Sequence, residues 1–406
     1  MYKDNYDQQL SCASEAALQA YLTGLEISKG FDAPGINEMK EATTQDDEFA
    51  LAHAALARQL QIHGFASEAR EHSAKSVSLK TSATPREQSA IDVAAASASF
   101  DPEALSMARS HVDVYPQDIF VLSYIVGPFG LLAFSGAHDW REQSMALLQE
   151  TRAAYPADDW WHTTARSYAG AEIGELKQAR ADGERAWSLH ESGNCAHSLV
   201  HVHFEDGALD EGAAFINDWK LTHGDTSDMR HHLLWHLVLL GRDGGGDADE
   251  LMEMYEHELA ADISDPMPLT TFSDNAALLW RCKLSGIEVP GKIGEDLVRY
   301  ADKHYPHCGF AFADIHRVMS VALLNNAERR QALVDELDRL YREHDTELAR
   351  CMLQFAKGFY AFADADYAAA VTLLKPVLPG SVLLGGSNPQ RRIVEETFLE
   401  ATTRAE

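Results

Sequence analysis

The sequence predicts an all-α fold, a solenoid of stacked antiparallel helix pairs, and three observations predict it. Apolar residues recur at helical spacing along most of the chain, as in 329–344, where Leu333, Leu337, Leu340 and Tyr341 are separated by charges. Alternating β-branched runs are missing, so almost no sheet is expected. The helical stretches come in pairs joined by short polar breaks, and one pair takes about 35 residues.

In order, the pairs are 13–29 with 34–46, 48–63 with 66–79, 85–98 with 101–114, and 118–133 with 139–154. They continue as 158–173 with 176–190, 194–206 with 209–223, 228–241 with 248–261, and 269–284 with 291–304. The last are 309–323 with 326–344 and 347–363 with 365–377, before a final helix near 388–404. Thr84-Pro85-Arg86-Glu87 starts the third pair with a capping box and a proline at the first helical position. A period near 35 residues is that of tetratricopeptide repeats, giving about ten antiparallel pairs. Small residues support it in places: Gly358, Tyr367, Ala370 and Leu374 sit at repeat positions, as do Ala179 and Ala186 where paired helices touch. One pair cannot bury its own apolar face, so neighbours must stack. A single tetratricopeptide-like superhelical domain over 1–406 is expected, with 241–250, GRDGGGDADE, as a mobile loop between two helices.

Length and composition fit a large folded core: 406 residues, 46% hydrophobic and 24% charged. The net charge of -29 keeps such a protein soluble and repels phosphate backbones and anionic headgroups, which argues against nucleic-acid and membrane partners. Five cysteines at wide spacings suggest neither a disulfide framework nor a cysteine zinc site. The polar start has no signal core, and no window approaches 18 apolar residues, so no membrane span and a cytoplasmic location are expected.

The histidines carry the functional signal. His197 and His201 are four apart and share a helix face, and so do His232 and His236. Both intervals between the pairs, 197 to 232 and 201 to 236, are 35 residues, the repeat period. The pairs therefore occupy equivalent places on the first helices of successive repeats, which line the concave groove about 10 Å apart. His162 extends the series backwards by another 35. Glu205 and Asp206 follow His201, Asp274 falls on the first helix of the next repeat, Asp314 and His316 on the one after, and Trp235 stands where it could wall a pocket. His203, two residues from His201, points elsewhere. Two His-x-x-x-His pairs with nearby carboxylates suit a divalent transition metal such as zinc, iron or manganese, and an open position on it would activate water. Without metal, the imidazoles could move protons near neutral pH. The plain alternative is that the histidines pack helix against helix with satisfied ring nitrogens.

Residues 384–392, LGGSNPQRR, read first as a helix start: Ser387 caps, Gln390 completes a capping box, and the glycines make a tight turn. The same amides, with Asn388 and Arg391, could instead hold an anion. The chain has no P-loop, G-x-S-x-G, H-E-x-x-H or dinucleotide glycine fingerprint, and Cys195 near His197 is a weak nucleophile signal.

Together these motifs resemble the tetratricopeptide-repeat protein thirty-eight family, also called StaR-like, nearly end to end. The resemblance rests on Arg86-Glu87-Gln88, His197 through His201 and His203, His232-x-x-Trp235-His236, Asp274, Gly286-Ile287-Glu288-Val289, Asp314-x-His316 and Gly385-Gly386-Ser387-Asn388-x-Gln390-Arg391. It implies an all-helical solenoid and brings no defined reaction. One departure stands out: where relatives place an acid directly after the third histidine, Phe204 intervenes before Glu205.

The expected function is a small-molecule enzyme, hydrolytic or proton-transferring, with or without a metal, centred on His197, His201, His232 and His236. Asp274, Asp314 and His316 would orient these groups or act as base, with Trp235, Ser387, Asn388 and Arg391 on the substrate. The alternatives are a scaffold binding a peptide or partner helix in the groove, or a ligand-binding protein without turnover. A homodimer through end repeats is the expected assembly if one forms.

Overall fold

The computed structural model describes residues 2–245, 248–344 and 346–406, with the backbone alone for 248–250 and 341. The described residues form 21 α-helices, and the only sheet among them pairs Tyr2–Lys3 with Gln9–Leu10, antiparallel. The chain divides into two compact units, one of residues 1–135 with 139–233 and one of 136–138 with 234–406.

In the first unit, α1 (Glu15–Gly30) pairs with α2 (Ile36–Gln45), α3 (Ala50–Ile62) with α4 (Ala66–Leu79) and α5 (Pro85–Ala98) with α6 (Ala104–Val114). After α7 (Ile119–Ile125) and α8 (Trp140–Thr151), α9 (Trp160–Glu172) pairs with α10 (Leu176–Leu189) and α11 (Gly193–Glu205) with α12 (Leu209–Thr222). First helices of successive pairs also stack, α3 on α5 and α9 on α11, so each hairpin buries its face against the next. The start of α5 is the capping box: Glu87 N–H donates to Thr84 Oγ1 at 3.3 Å, and Thr84 N–H donates to the Glu87 carboxylate at 2.9 Å. Ala179 and Ala186 are buried as expected, and a Cβ at Gly170 would come within 3.1 Å of the Ala179 methyl.

The helix expected over 118–133 is shorter. It stops at Ile125, because Gly127 turns to φ +97° and Pro128 disfavours helix before it. A Cβ at Gly130 would lie 2.4 Å from the Ile125 carbonyl oxygen, so the chain folds back there through a position only glycine fits.

The start of this unit is tied to its later helices. Asn194 donates to the Lys29 carbonyl at 2.9 Å, and Gly193 N–H donates to Asp32 at 3.1 Å. Asp228 N–H and the Ser227 hydroxyl both donate to the Phe31 carbonyl, at 3.0 and 2.6 Å. His63 donates from Nδ1 to Gln59 O (2.8 Å) and from Nε2 to Asp228 (3.0 Å). Burial opposes charge on His63, but the Asp228 carboxylate overrides it and raises the imidazole pKa.

Helix α13 (Arg230–Asp243) leads into the second unit. Within the expected loop 241–250, α13 runs to Asp243, α14 (Ala248–Met254) starts at Ala248, and Gly246 and Asp247 lie outside the described residues. A π-helical turn, Tyr255–Leu259, follows in place of the predicted continuation to 261. Then α15 (Pro268–Leu284) pairs with α16 (Gly291–His304), α17 (Ala311–Ala322) with α18 (Ala327–Glu343), and α19 (Glu347–Ala363) with α20 (Tyr367–Leu374). The first helices stack in the order α15, α17, α19. The pair α19/α20 meets at the predicted glycine: a Cβ at Gly358 would lie 2.5 Å from a Leu374 methyl. A 3-10 segment, Lys375–Leu384, and α21 (Asn388–Ala405) close the unit.

One expectation needs correction. Tyr367–Leu384 is a helical run of 18 residues with mean hydropathy 1.5, long and apolar enough by composition to cross a bilayer. Polar and turn residues from Thr372 to Ser381, Lys375 among them, interrupt the apolar run without spoiling its average. Helices inside water-soluble proteins pass the same test, and this run packs on α19 and α21.

Candidate metal centre

Helix α11 begins at Ser192, whose hydroxyl accepts the Cys195 N–H at 3.3 Å. From there the helix is buried on every side: the ten residues Cys195 through Phe204 are all inaccessible or nearly so. His197 and His201 lie one turn apart on this helix, and His232 and His236 one turn apart on α13. The 35-residue register brings them together as the sequence implied. His197 Nε2 faces His201 Nε2 at 2.9 Å and His232 Nε2 at 3.1 Å. One ring nitrogen from each of the four, His236 included, lies within 4.8 Å of all the others.

Protons alone serve this arrangement poorly. The single in-plane position on His197 Nε2 carries one hydrogen or one lone pair, yet two imidazole nitrogens converge on it. Burial, and then repulsion from His201 and His232, pushes the His197 pKa well down, so the ring stays neutral. A cation satisfies all the nitrogens at once. Zinc with Zn–N bonds of about 2.0–2.1 Å has tetrahedral N···N edges of about 3.3 Å. The 2.9 and 3.1 Å separations already approach that edge.

The surroundings suit a bound cation. The Glu172 carboxylate, buried at the end of α9, lies 3.9 Å from His201 Nδ1, on the far side of the ring from Nε2. A carboxylate behind a ligating imidazole fixes its tautomer and raises its basicity. Tyr168 stacks near His197 (ring centroids 5.9 Å) and meets His201 edge-on at 5.0 Å. Glu172 was not a sequence candidate. Its signal was a lone acid in the small-residue run Ala169-Gly170-Ala171-Glu172-Ile173. The acids named instead do other work: Asp206 pairs with Arg180 at 2.8 Å near the surface. His162 stands apart, its Nε2 3.2 Å from the Thr151 hydroxyl, and His203 lies 3.8 Å from Glu211.

The remaining predicted residues belong to the second unit. His316 donates from Nδ1 to the Phe312 carbonyl at 2.6 Å, and burial pushes its pKa down to about 4. Asp274 is fully buried and acts on His316 electrostatically. Asp314 does not join them. Two residues along a helix it points the other way, accepting the Gly309 N–H at 2.9 Å, and burial raises its pKa to about 7. Trp235 is fully buried under the Arg281 guanidinium, 5.8 Å from its ring centroid. Ser387 and Gln390 form the capping box, and Ser387 N–H donates to Gln390 Oε1 at 2.9 Å. Arg391 turns back onto the Gly386 carbonyl and the Asn388 side chain.

No family model matches the chain. Among solved structures it is similar to a human IFIT1 dimer with m7Gppp-AAAA, at 13% identity and TM-score 0.39, over 99% of this chain and 98% of that one. It is also similar to yeast Tom70, at 12% identity and TM-score 0.29, over 96% and 95%. A third similarity is to the P58(IPK) TPR domain, at 12% and TM-score 0.20, over 96% and 98%. Likenesses this distant say nothing about what the chain binds. The description that the site and fold themselves support is an all-α protein of stacked helical hairpins, carrying a buried four-histidine cluster capable of holding a metal ion.

Proposed function

We propose that this chain is a helical-repeat metalloprotein that holds one transition-metal ion on His197, His201, His232 and His236, and that it belongs with the StaR-like proteins whose motifs it shares. The observation that supports it is the convergence of two imidazole nitrogens on His197 Nε2, which one proton cannot satisfy. Zinc is the first candidate, since four imidazole nitrogens within 4.8 Å of one another match its preference for nitrogen ligands. Bound there by all four rings, the ion locks α11 to α13. Bound by three, it keeps a position for water and supplies a Lewis acid, which is the hydrolytic form of the reading.

The test is metal content by plasma mass spectrometry of the purified full chain, with and without zinc added before desalting. About one ion per chain is expected for the wild type and a clear loss for His197→Ala and His232→Ala. A wild type that retains no metal after zinc loading overturns the proposal. The hydrolytic form has its own test in a panel of ester, amide and phosphoester substrates. Turnover that disappears in His201→Ala supports it, and equal turnover in both proteins rejects it.

A second reading, a scaffold for a peptide or protein, is favoured by a different observation. Phe65 and Phe100, one repeat apart, stand in equivalent hairpin turns with 51% and 76% of their surface exposed. A partner held there would bind wild type and His197→Ala alike and be lost from a Phe65→Ser, Phe100→Ser double variant. Equal binding to the double variant rejects it.

A further inference from the structure

Within the second unit, α15, α17 and the start of α21 bring several buried polar groups to one place. Asp274 and Arg281 are seven residues apart on α15 and share its face. Helix α15 packs on α17, which carries Phe312 and His316 with ring centroids 4.6 Å apart. Phe312 in turn abuts the C-terminal glycine turn, where a Cβ at Gly386 would lie 2.5 Å from its ring. From the other side, Arg281 Nη2 donates to the Pro389 carbonyl at 2.8 Å, one residue from Gln390. The Asp274 and Arg281 charges both act on the His316 imidazole.

Three of these side chains have an unused polar atom. Arg281 is 1% exposed, its Nε and Nη2 engage Glu396 and Pro389, and its Nη1 has no hydrogen-bond partner. Gln390 is 3% exposed, its Oε1 serves the capping box, and its Nε2 has none. His316 is 1% exposed, its Nδ1–H is taken by Phe312, and its Nε2 lone pair has none. Buried groups of this kind almost always find a partner. Arg242 and Arg281 share the Glu396 carboxylate, each at 3.0 Å, and Asp274 adds a second acid acting on His316.

We propose that this cluster is a binding site for a small hydroxycarboxylate, whose carboxylate accepts from Arg281 Nη1 and Gln390 Nε2 and whose hydroxyl donates to His316 Nε2. Two unfilled N–H donors call for an acceptor and the His316 lone pair calls for a donor, and one hydroxycarboxylate supplies both. A simple carboxylate leaves the His316 side unfilled, and a simple alcohol leaves Arg281 unfilled. The proposed contacts use none of the four histidines.

The test uses the full chain with glycolate, acetate and ethanol as probes, read by calorimetric titration and by thermal shift. Glycolate is expected to bind at least tenfold more tightly than acetate, and ethanol not at all. Gln390→Glu keeps the acceptor that the capping box needs, and glutamate is a usual residue there, so the fold is retained. The added negative charge is expected to weaken glycolate at least tenfold. His316→Leu is expected to bring glycolate and acetate to equal affinity. His197→Ala is expected to bind glycolate as the wild type does, which separates this site from the metal centre. The proposal is overturned if no carboxylate binds, if Gln390→Glu binds glycolate unchanged, or if a high-resolution structure with glycolate shows ordered water alone on the three atoms.

Discussion

His197→Ala is the sharpest perturbation, because His197 is the ring on which two others converge. Structural zinc sites are worth about 10–16 kcal/mol, so one of four ligands carries about 3 kcal/mol, roughly a hundredfold in affinity. At zinc one hundredfold above its dissociation constant, linkage stabilises the folded wild type by about 2.7 kcal/mol. The unit that carries His197 has roughly 230 residues. For a body of that size the gain is a rise in Tm of about 5–10 °C. The same zinc concentration would stand near the dissociation constant of His197→Ala and give about 0.4 kcal/mol, a shift of about 1 °C. Differential scanning calorimetry of chelator-treated protein with and without zinc measures both. Comparing each protein with itself cancels the packing cost of losing the ring. A wild-type transition that zinc does not move, or an equal shift in the variant, would refute the reasoning.

Three further outcomes are expected. Glu172→Gln keeps the shape behind His201 but removes the charge, so zinc affinity measured by competition with a chelating dye falls about 10–100-fold while the metal-free Tm barely changes. His316 and Asp314 give opposite pH responses. His316 titrates near 4 when folded and near 6.5 when unfolded, so its contribution is intact above 6.5 and about 3 kcal/mol is lost as the pH falls to 4. Asp314 titrates near 7 when folded, so ionising it on unfolding costs the native state up to about 4 kcal/mol as pH rises from 3.8 to 7. Urea unfolding should therefore find Asp314→Asn more stable than wild type at pH 8 and equal to it at pH 4. Finally, Gly358→Ala pushes a methyl against Leu374, and the same assay should show a loss of about 1–3 kcal/mol.

The helical hairpins were legible because periodicity is a local property, and most boundaries fell within two or three residues of the structure. Helix α7 was overextended because Gly127-Pro128 was outweighed by the apolar run around it. The four-histidine cluster was legible for an unusual reason: in a repeat protein the sequence interval is also a spatial register, so 35 residues means the neighbouring helix. Glu172 was invisible because it lies on α9 at no repeat interval from His201, and only the packing of α9 on α11 brings it close. Asp314 and His316 were expected to serve one site because they share a motif, while helical geometry turns them apart.

The hydrogen bonds from residues 193–194 and 227–228 back to residues 29–32 change how the first unit must come apart. An open array frays from its ends, because a terminal repeat has one neighbour and can be trimmed at modest cost. Here the first hairpin has a sequence neighbour on one side and, through Lys29, Phe31 and Asp32, a distant one on the other. Truncating α1 and α2 would strand the Phe31 partners Ser227 and Asp228, just ahead of the helix that carries His232. Unfolding should be all-or-none, closing the unit requires contacts nearly two hundred residues apart, and folding should be correspondingly slow for an all-helical protein.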